Sequence, residues 1–467
     1  MNKKFSKLLH NVGVLTVSNI ASKLLVFFLV PLYTNVLSTS DYGLYDLVIT
    51  TINIMYPVLT INISDAILRF MLDRQYNKNA VMTVALKYYI ASVITVCAFF
   101  LLQVIFNLYP MICGFEPYIF MYYIVYALND ILTQYAKGKE KVRDIGVASV
   151  LSTAVIIILN LLFLLVLKAG IKGFFISNIL GLFVSAAFYI RKLNVVSFLH
   201  VLSKDTLLEK EMLRYSAPLI STVLCWWINS AFDRYTVTFF RGISDNGLLS
   251  IAYKIPMILN TLQGIFIQAW QISAIKEKDQ NANIFYGQVF VCVNFVMTAV
   301  CSLLILFTKP LAGLLFSKDF YKAWEFVPFL LLSSVFNCAS GLLGPILAVK
   351  KDSKTMSLSA IYGTVINVVL NIILVYLMGI QGATIATVFS SVIIYCVRRN
   401  AVKNDCYISN YKNIVITWML VVVQAIEEVY LPIWQLQIIN ILVIILVNKS
   451  ICGGLKNWIK DIRKKNI

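Results

Sequence analysis

Residues 356–397 read MSLSAIYGTVINVVLNIILVYLMGIQGATIATVFSSVIIYCV. No Asp, Glu, Lys or Arg falls among them, while Lys350, Lys351 and Lys354 precede them and Arg398 and Arg399 follow. A helix rises 1.5 Å per residue, so about 20 apolar residues cross the roughly 30 Å hydrocarbon core of a bilayer. The stretch is long enough for two crossings, and Gly379-Ile380-Gln381-Gly382 in its middle is the place to turn. Two crossings also return the second basic flank to the side of the first.

The same pattern runs through the chain. Fourteen candidate spans lie near 12–37, 43–67, 80–107, 117–136, 144–167, 171–190, 214–240, 247–273, 285–308, 324–348, 356–378, 380–397, 411–430 and 431–448. Glu427 and Glu428 interrupt the last two. The chain is 60% hydrophobic and 13% charged, against about 45–50% and about 25% in soluble domains. A soluble fold of this length could not hide so much apolar surface. The expected fold is therefore an all-α integral membrane protein with about 14 transmembrane helices. Lys3, Lys4 and Lys7 before the first apolar run resemble the start of a secretory signal. The run continues to about Leu37, against roughly 7–15 residues in a signal's apolar region, so it is read as a retained first span.

The formal charge is +18, and its placement explains it. Of the 40 Lys and Arg, 31 fall on one set of alternate flanks and 6 on the other (Lys168, Lys172, Arg241, Lys309, Lys318 and Lys322). Basic residues mark the cytoplasmic side, which puts both termini of a multi-pass membrane protein in the cytoplasm. Nucleic-acid binding is not needed to account for the charge. The nine cysteines include no C-x-x-C pair. Cys97, Cys225, Cys292, Cys301, Cys338 and Cys396 sit in apolar runs as small core residues. His10 and His200 lie near polar flanks, so neither a metal site nor a cofactor is expected.

The two halves echo each other. Ser40-Asp41-Tyr42-Gly43-Leu44 follows span one and Ser244-Asp245-Asn246-Gly247-Leu248 follows span seven. Gly170-Ile171-Lys172-Gly173 opens span six and Gly379-Ile380-Gln381-Gly382 opens span twelve. Ala136-Lys137-Gly138-Lys139 answers Ala348-Val349-Lys350-Lys351. Six spans per repeat give two pseudo-symmetric lobes related by an axis along the membrane normal. The expected division is an N-terminal lobe over 1–205, a C-terminal lobe over 206–405, and an extra helix pair with a basic tail over 406–467.

Charges inside spans cost about 2.5–3.5 kcal/mol to insert and usually mark a pathway. Three basic residues are so placed: Lys23 in span one, Arg234 in span seven and Lys254 in span eight. Thr16, Asn19, Lys23 and Thr34 share one helical face; Trp227, Ser230, Arg234 and Thr238 share another; Ser250, Lys254, Thr261 and Gln268 share a third. Such stripes suit a wet cavity, although Arg234 and Lys254 could instead snorkel outward with Asp233 neutralising Arg234. Pro31, Pro57, Pro218 and Pro256 interrupt spans one, two, seven and eight, matching places in the two halves; this points to a central site, or reflects only that prolines are commoner in membrane helices. Trp226, Trp227 and Trp270 could stack on sugar rings or anchor span ends at the interface. Asp46, Asp65, Asp130 and Asp233 lie in or near spans, and one could carry a coupling proton; for Asp46 and Asp65, solvation at a helix end suffices.

These features resemble the Wzx-type polysaccharide flippases of the multidrug/oligosaccharidyl-lipid/polysaccharide exporter superfamily. The resemblance is carried by residues 41–45 (Asp-Tyr-Gly-Leu-Tyr), 66–70 (Ala-Ile-Leu-Arg-Phe) and 213–220 (Leu-Arg-Tyr-Ser-Ala-Pro-Leu-Ile). It continues through Asp233-Arg234, Gly247-Leu248, residues 252–255 (Ala-Tyr-Lys-Ile), 266–270 (Phe-Ile-Gln-Ala-Trp) and 321–328. The chain departs from the family pattern at Leu249, Ser250 and Ile272. The resemblance implies a V-shaped bundle of two six-helix lobes plus two C-terminal helices. It also implies alternating access, a basic cavity and an undecaprenyl-pyrophosphate-linked oligosaccharide as cargo. Partners would be that lipid, the membrane, and polysaccharide polymerase and chain-length proteins. The expected binding set is Lys23, Asp233, Arg234, Lys254, Trp226, Trp227, Trp270 and Gln268. The coupling ion, proton or sodium, stays open.

Two other classes compete. A cation-coupled multidrug antiporter of the same superfamily would favour acidic residues in the cavity, whereas the deep charges here are mostly basic. A membrane glycan polymerase or glycosyltransferase would need a sizeable outer loop. No outer loop exceeds about fifteen residues and no Asp-x-Asp occurs, so no enzyme is expected. The orientation is testable in a cysteine-free background. Ser244→Cys should react with an impermeant thiol reagent in intact cells, and Ser353→Cys only after permeabilisation; the reverse pattern would invert the topology.

Overall fold

A computed structural model describes residues 27–73, 75–193, 205–276, 282–350, 352–431 and 433–449. Among them all regular structure is helical. The chain divides into two compact units, Met1–Trp227 and Ile228–Ile467.

In the first unit α1 (Val30–Val36) and α2 (Thr39–Leu59) meet at Ser38, which caps α2 reciprocally with Asp41. The Asp41 amide donates to the Ser38 hydroxyl (3.0 Å), and the Ser38 amide donates to the Asp41 carboxylate (3.2 Å). The single span expected over 43–67 is corrected to a broken one, because α3 (Ile63–Leu72) turns 59° away from α2. Pro57 sits near the end of α2, but the sharper cause is Ile61 and Asn62, both left-handed at φ 54° and 49°. That conformation is costly for a β-branched residue. Then come α4 (Lys78–Phe106), α5 (Glu116–Gly138), α6 (Val142–Asn160) with a π-helical extension over Leu161–Val166, and α7 (Gly170–Leu193). On α4, Ile94, Leu101 and Ile105 are exposed, as suits a helix solvated by lipid. The short α8 (Thr206–Ser216) docks on α4 through charge: Lys87 Nζ lies 2.6 Å from Glu209. Hydrogen bonds from Lys87 and Tyr88 hold the Glu209 carboxyl below the usual carboxylate range.

Helix α9 (Leu219–Arg241) begins beyond Pro218 and leads into the second unit. There α10 (Ile243–Ala252) and α11 (Pro256–Lys276) flank a break at residues 253–255. Proline tolerates the first turn of a helix, where its missing N–H would have no partner. After α12 (Ala282–Leu306), α13 (Thr308–Leu315) and a 3₁₀ segment (Lys318–Phe326) comes α14 (Val327–Val349). Helix α14 is buried on nearly every side and forms the core of this unit. Helices α11, α12, α16 (Ile380–Ala401) and α17 (Tyr411–Tyr430) pack on it. Helix α15 (Ser353–Met378) pairs with α16, and α18 (Trp434–Val447) with α17.

Eight helices among the described residues are long and apolar enough to cross a membrane, and the α2–α3 pair makes a ninth. Helices α5, α9, α11 and α18 fall at other expected spans, whereas α8 (Thr206–Ser216) and α13 (Thr308–Leu315) lie mostly between expected spans. Helix α17 runs through the two glutamates that interrupt the sequence pattern because both find partners. Glu428 lies 3.8 Å from Lys309, and Asn440 donates to Glu427 at 2.6 Å. Cys301 and Cys338 are buried as expected of small core residues, but Cys396 is exposed.

The repeated Gly-Ile-x-Gly has one structural meaning in both units. Gly170 and Gly379 adopt left-handed φ values of 55° and 62° at the tips of helical hairpins. A Cβ on Gly173 would lie 2.8 Å from the Phe163 side chain, and one on Gly382 would lie 2.1 Å from the Leu374 carbonyl oxygen. Gly382→Ala therefore forces backbone apart and should destabilise the protein by about 1–3 kcal/mol. Gly264, on α11, has open space around it, and Gly264→Ala should be neutral or stabilising by up to about 1 kcal/mol. Thermal unfolding in detergent separates the two; equal melting points would refute the tight-hairpin reading.

Candidate substrate site

The second unit buries a carboxylate. Asp233 on α9 is only 4% exposed, and an ionised group so placed needs donors. The Tyr253 hydroxyl donates to it from the break after α10. The Arg234 guanidinium lies 3.6 Å from the same carboxylate. Arg234 also donates to the Ser230 carbonyl at 2.8 Å and covers the Tyr253 ring at 5.0 Å. Next along the chain, Lys254 is half-buried within the break. Its amide makes a local turn to the Ile251 carbonyl (2.9 Å), so the break leaves this donor satisfied. The structure thus brings Asp233, Arg234 and Tyr253 together, with Lys254 adjoining. Tyr253 carries the constellation and was not among the expected residues; its place between Ala252 and Lys254 in the family-like stretch was the available signal.

The tryptophans separate by environment. Trp226 is 64% exposed on α9. Trp227 donates its indole N–H to the Thr50 carbonyl at 2.9 Å. Trp270 is 3% exposed, bonds the Leu342 carbonyl at 2.9 Å, and lies against the Phe285 and Tyr286 rings. As placed, Trp270 is a packing residue between α11, α12 and α14, with no face open to a sugar. Lys23 and the side chain of Gln268 lie outside the described residues.

The first unit holds a second, half-buried carboxylate. Tyr56 on α2 donates to Asp130 on α5 at 3.1 Å and meets the Tyr126 ring edge-on at 5.9 Å. Tyr122, Tyr126 and Asp130 recur every fourth residue of α5, so they share a face. Asp130 was singled out from sequence; its tyrosine neighbours were not, though this spacing could have found them. Among the described residues no group of His, Cys, Asp or Glu is arranged to hold a metal ion.

A family profile described as polysaccharide biosynthesis protein matches residues 8–271. The chain belongs to the polysaccharide biosynthesis protein family. No curated protein matches it. Among solved structures it is similar to the lipid II flippase MurJ in an inward closed conformation. The TM-score is 0.69 at 16% identity, over 95% of this chain and 99% of that one. It is also similar to an inward-facing multidrug resistance MATE family transporter of the MOP superfamily, with TM-score 0.64 at 16% identity over 84% and 95% of the two chains. A third similarity is to a MOP superfamily transporter from Pyrococcus furiosus, at TM-score 0.54 and 16% identity over 85% and 93%. At such identities the likeness establishes the fold: this family member is an all-helical, multi-pass membrane protein built like the transporters of that superfamily.

The ion pair gives a stability test independent of transport. Arg234→Gln leaves the Asp233 carboxylate buried without its cation and should lower unfolding stability by about 3 kcal/mol. Adding Asp233→Asn should recover most of that loss, as read by thermal unfolding in detergent. Equal destabilisation in the single and double variants would show that the pair does not act as a unit.

Proposed function

We propose that this protein is a flippase that moves an undecaprenyl-pyrophosphate-linked oligosaccharide from the cytoplasmic to the outer leaflet by alternating access, for polysaccharide biosynthesis. The observation that carries the reading is the charge balance at the α9–α11 site. Arg234 and Lys254 supply two cations and Asp233 one carboxylate, which leaves a net positive charge where α10 and α11 break. A pyrophosphate cannot enter hydrocarbon unaided, and cations in a low-dielectric setting lower its barrier. Lys254 is assigned to the pyrophosphate together with Lys23. Arg234 shares itself between cargo and Asp233, a pairing weak enough to be exchanged and strong enough to keep the arginine in place. Trp226 and Trp227 are assigned to the glycan. Both termini face the cytoplasm of the inner membrane in this reading, and the cargo passes on to polymerase and chain-length proteins.

Family membership and the MurJ-like fold support this reading. A second reading, a cation-coupled multidrug antiporter, is favoured by one observation: Asp130 is a half-buried carboxylate within a span, bonded by Tyr56, as a proton-carrying acid would be. Two phenotypes distinguish the readings. In a deletion strain complemented with Lys254→Ala or Lys23→Ala, surface polysaccharide should fall at least tenfold while the protein remains in the membrane and its lipid-linked precursor accumulates. Normal surface polysaccharide in both variants, with loss of resistance to cationic dyes in Asp130→Asn, would replace the flippase by the antiporter.

A further inference from the structure

A cavity of about 470 Å³ opens in the second unit between the C-terminal end of α9, the start of α10, the 3₁₀ segment and the α15–α16 turn. It lies on the charge-poor flank, the outer side in the topology read from the basic residues. It is separate from the Asp233 constellation, and none of the residues assigned to the cargo above lines it. Its size falls within the range of about 300–1,000 Å³ usual for small-molecule sites. Arg241 and Lys322 contribute two positive charges to its wall, and Asp245 and Glu325 two negative ones. Arg241 is held in place by the last carbonyls of α15, donating to Tyr376 at 2.9 Å and to Val375 at 3.4 Å.

The wall also holds an unmet donor. Gln381 is 9% exposed, and its side-chain nitrogen has no hydrogen-bond partner among the described residues. A buried donor left so costs about 1–3 kcal/mol, and an acceptor in the cavity would recover it. The internal repeat shows that this is a departure from the scaffold. At the position matching Gln381 the first unit has Lys172, which is exposed. At the position matching Asp245 it has Asp41, whose carboxylate caps α2 through Ser38. The helix of Asp245 starts at Gly242, which has no side chain to cap with. Two repeat positions that are solvated or used for capping in one unit line a cavity in the other.

We propose that this cavity is a second, exit-side subsite for the glycan of the translocated lipid, and that it recognises neutral sugar hydroxyls. The identity of the ligand rests on the flippase reading above. With cations and carboxylates balanced, the cavity offers a free anion or cation no net attraction. What it offers is donors (Arg241, Lys322, Gln381) and acceptors (Asp245, Glu325) side by side, beside the Phe326 and Tyr430 rings. Carboxylates accept from hydroxyls, the amide and the cations donate to them, and an aromatic face covers the apolar side of a sugar ring. A sugar held there after crossing would bias the cargo against return.

The test uses the full chain in nanodiscs and, as probe, the free oligosaccharide released by mild acid from the host's own lipid-linked intermediate. Lacking pyrophosphate, this probe isolates sugar recognition from charge pairing. Saturation-transfer NMR should show glycan contact in the wild type. That contact should fall at least fivefold in Gln381→Leu and in the isosteric rim variant Glu325→Gln, both at unchanged melting temperature, and millimolar inorganic pyrophosphate should leave it in place. Equal glycan signal in the wild type and both variants overturns the proposal, as does transfer to glycine as a zwitterionic probe with none to the glycan. If that happens while Lys254→Ala still abolishes surface polysaccharide, the cavity assignment fails and the flippase reading stands. Surface polysaccharide intact after deletion of the gene would remove the flippase reading and, with it, the ligand named here.

Discussion

A carboxylate taken out of water must be met by donors, and in the second unit this requirement joins three helices. Asp233 projects from α9, and its donors are Tyr253 from the α10–α11 break and Arg234 from its own helix. Removing water strengthens each of these interactions and raises the cost of leaving any unmade. The carboxylate therefore fixes the broken segment against α9, and the broken segment carries Lys254. The position of the cation proposed to meet the cargo is thereby set by a buried anion. The pair also keeps Arg234 oriented toward Asp233, where a lone arginine would turn toward water.

Breaks in membrane helices face the same accounting for the backbone. In hydrocarbon every N–H and C=O needs an internal partner, so an interruption persists only where local turns or protein neighbours supply one. At the α2–α3 bend the Asn62 amide reaches the Pro57 carbonyl at 2.5 Å, and at the α10–α11 break Lys254 bonds Ile251. A proline adjoins each of these breaks, but the geometry is completed by residues that take up the turn. That is why the two breaks differ. The first bends the chain through left-handed Ile61 and Asn62, while the second is a short right-handed turn that resumes at Pro256.

The spans were legible because an apolar segment in lipid has no alternative to a helix, and its length is fixed by the bilayer. Helix ends agree with the hydropathy limits to within a few residues over 78–106, 353–378 and 411–430. The candidate site was legible in part. Arg234 and Lys254 stand out because charge is rare in spans, and Asp233 because it neighbours one of them. Tyr253 did not stand out, since a tyrosine in an apolar run has many roles, and only the three-dimensional approach to Asp233 distinguishes this one. Trp270 illustrates the converse. Near a span end it reads as an anchor or a sugar platform, yet the neighbouring Phe285 and Tyr286 rings enclose it. The 59° bend at residue 60 was invisible for a similar reason: the sequence contains a proline, but the angle depends on backbone torsions of the residues that follow.

The internal repeat separates what the scaffold demands from what the site requires. Gly170 and Gly379 answer a positive φ, and Gly173 and Gly382 answer a close helix approach. Neither demand can be met by another residue without strain or overlap, so both halves carry the same glycines. The residue between them faces no such constraint: it is Lys172 in one half and Gln381 in the other. The same holds at Asp41 and Asp245, where an identical residue caps a helix in one half and lines a cavity in the other. Where two copies of one architecture must differ, the backbone leaves these positions free to do so. The two copies use them differently, and in the second copy both line one cavity. Polar groups gathered there, one of them unbonded and buried, are poorly explained by folding alone, because an apolar side chain at Gln381 would close the same turn without leaving a donor unmet.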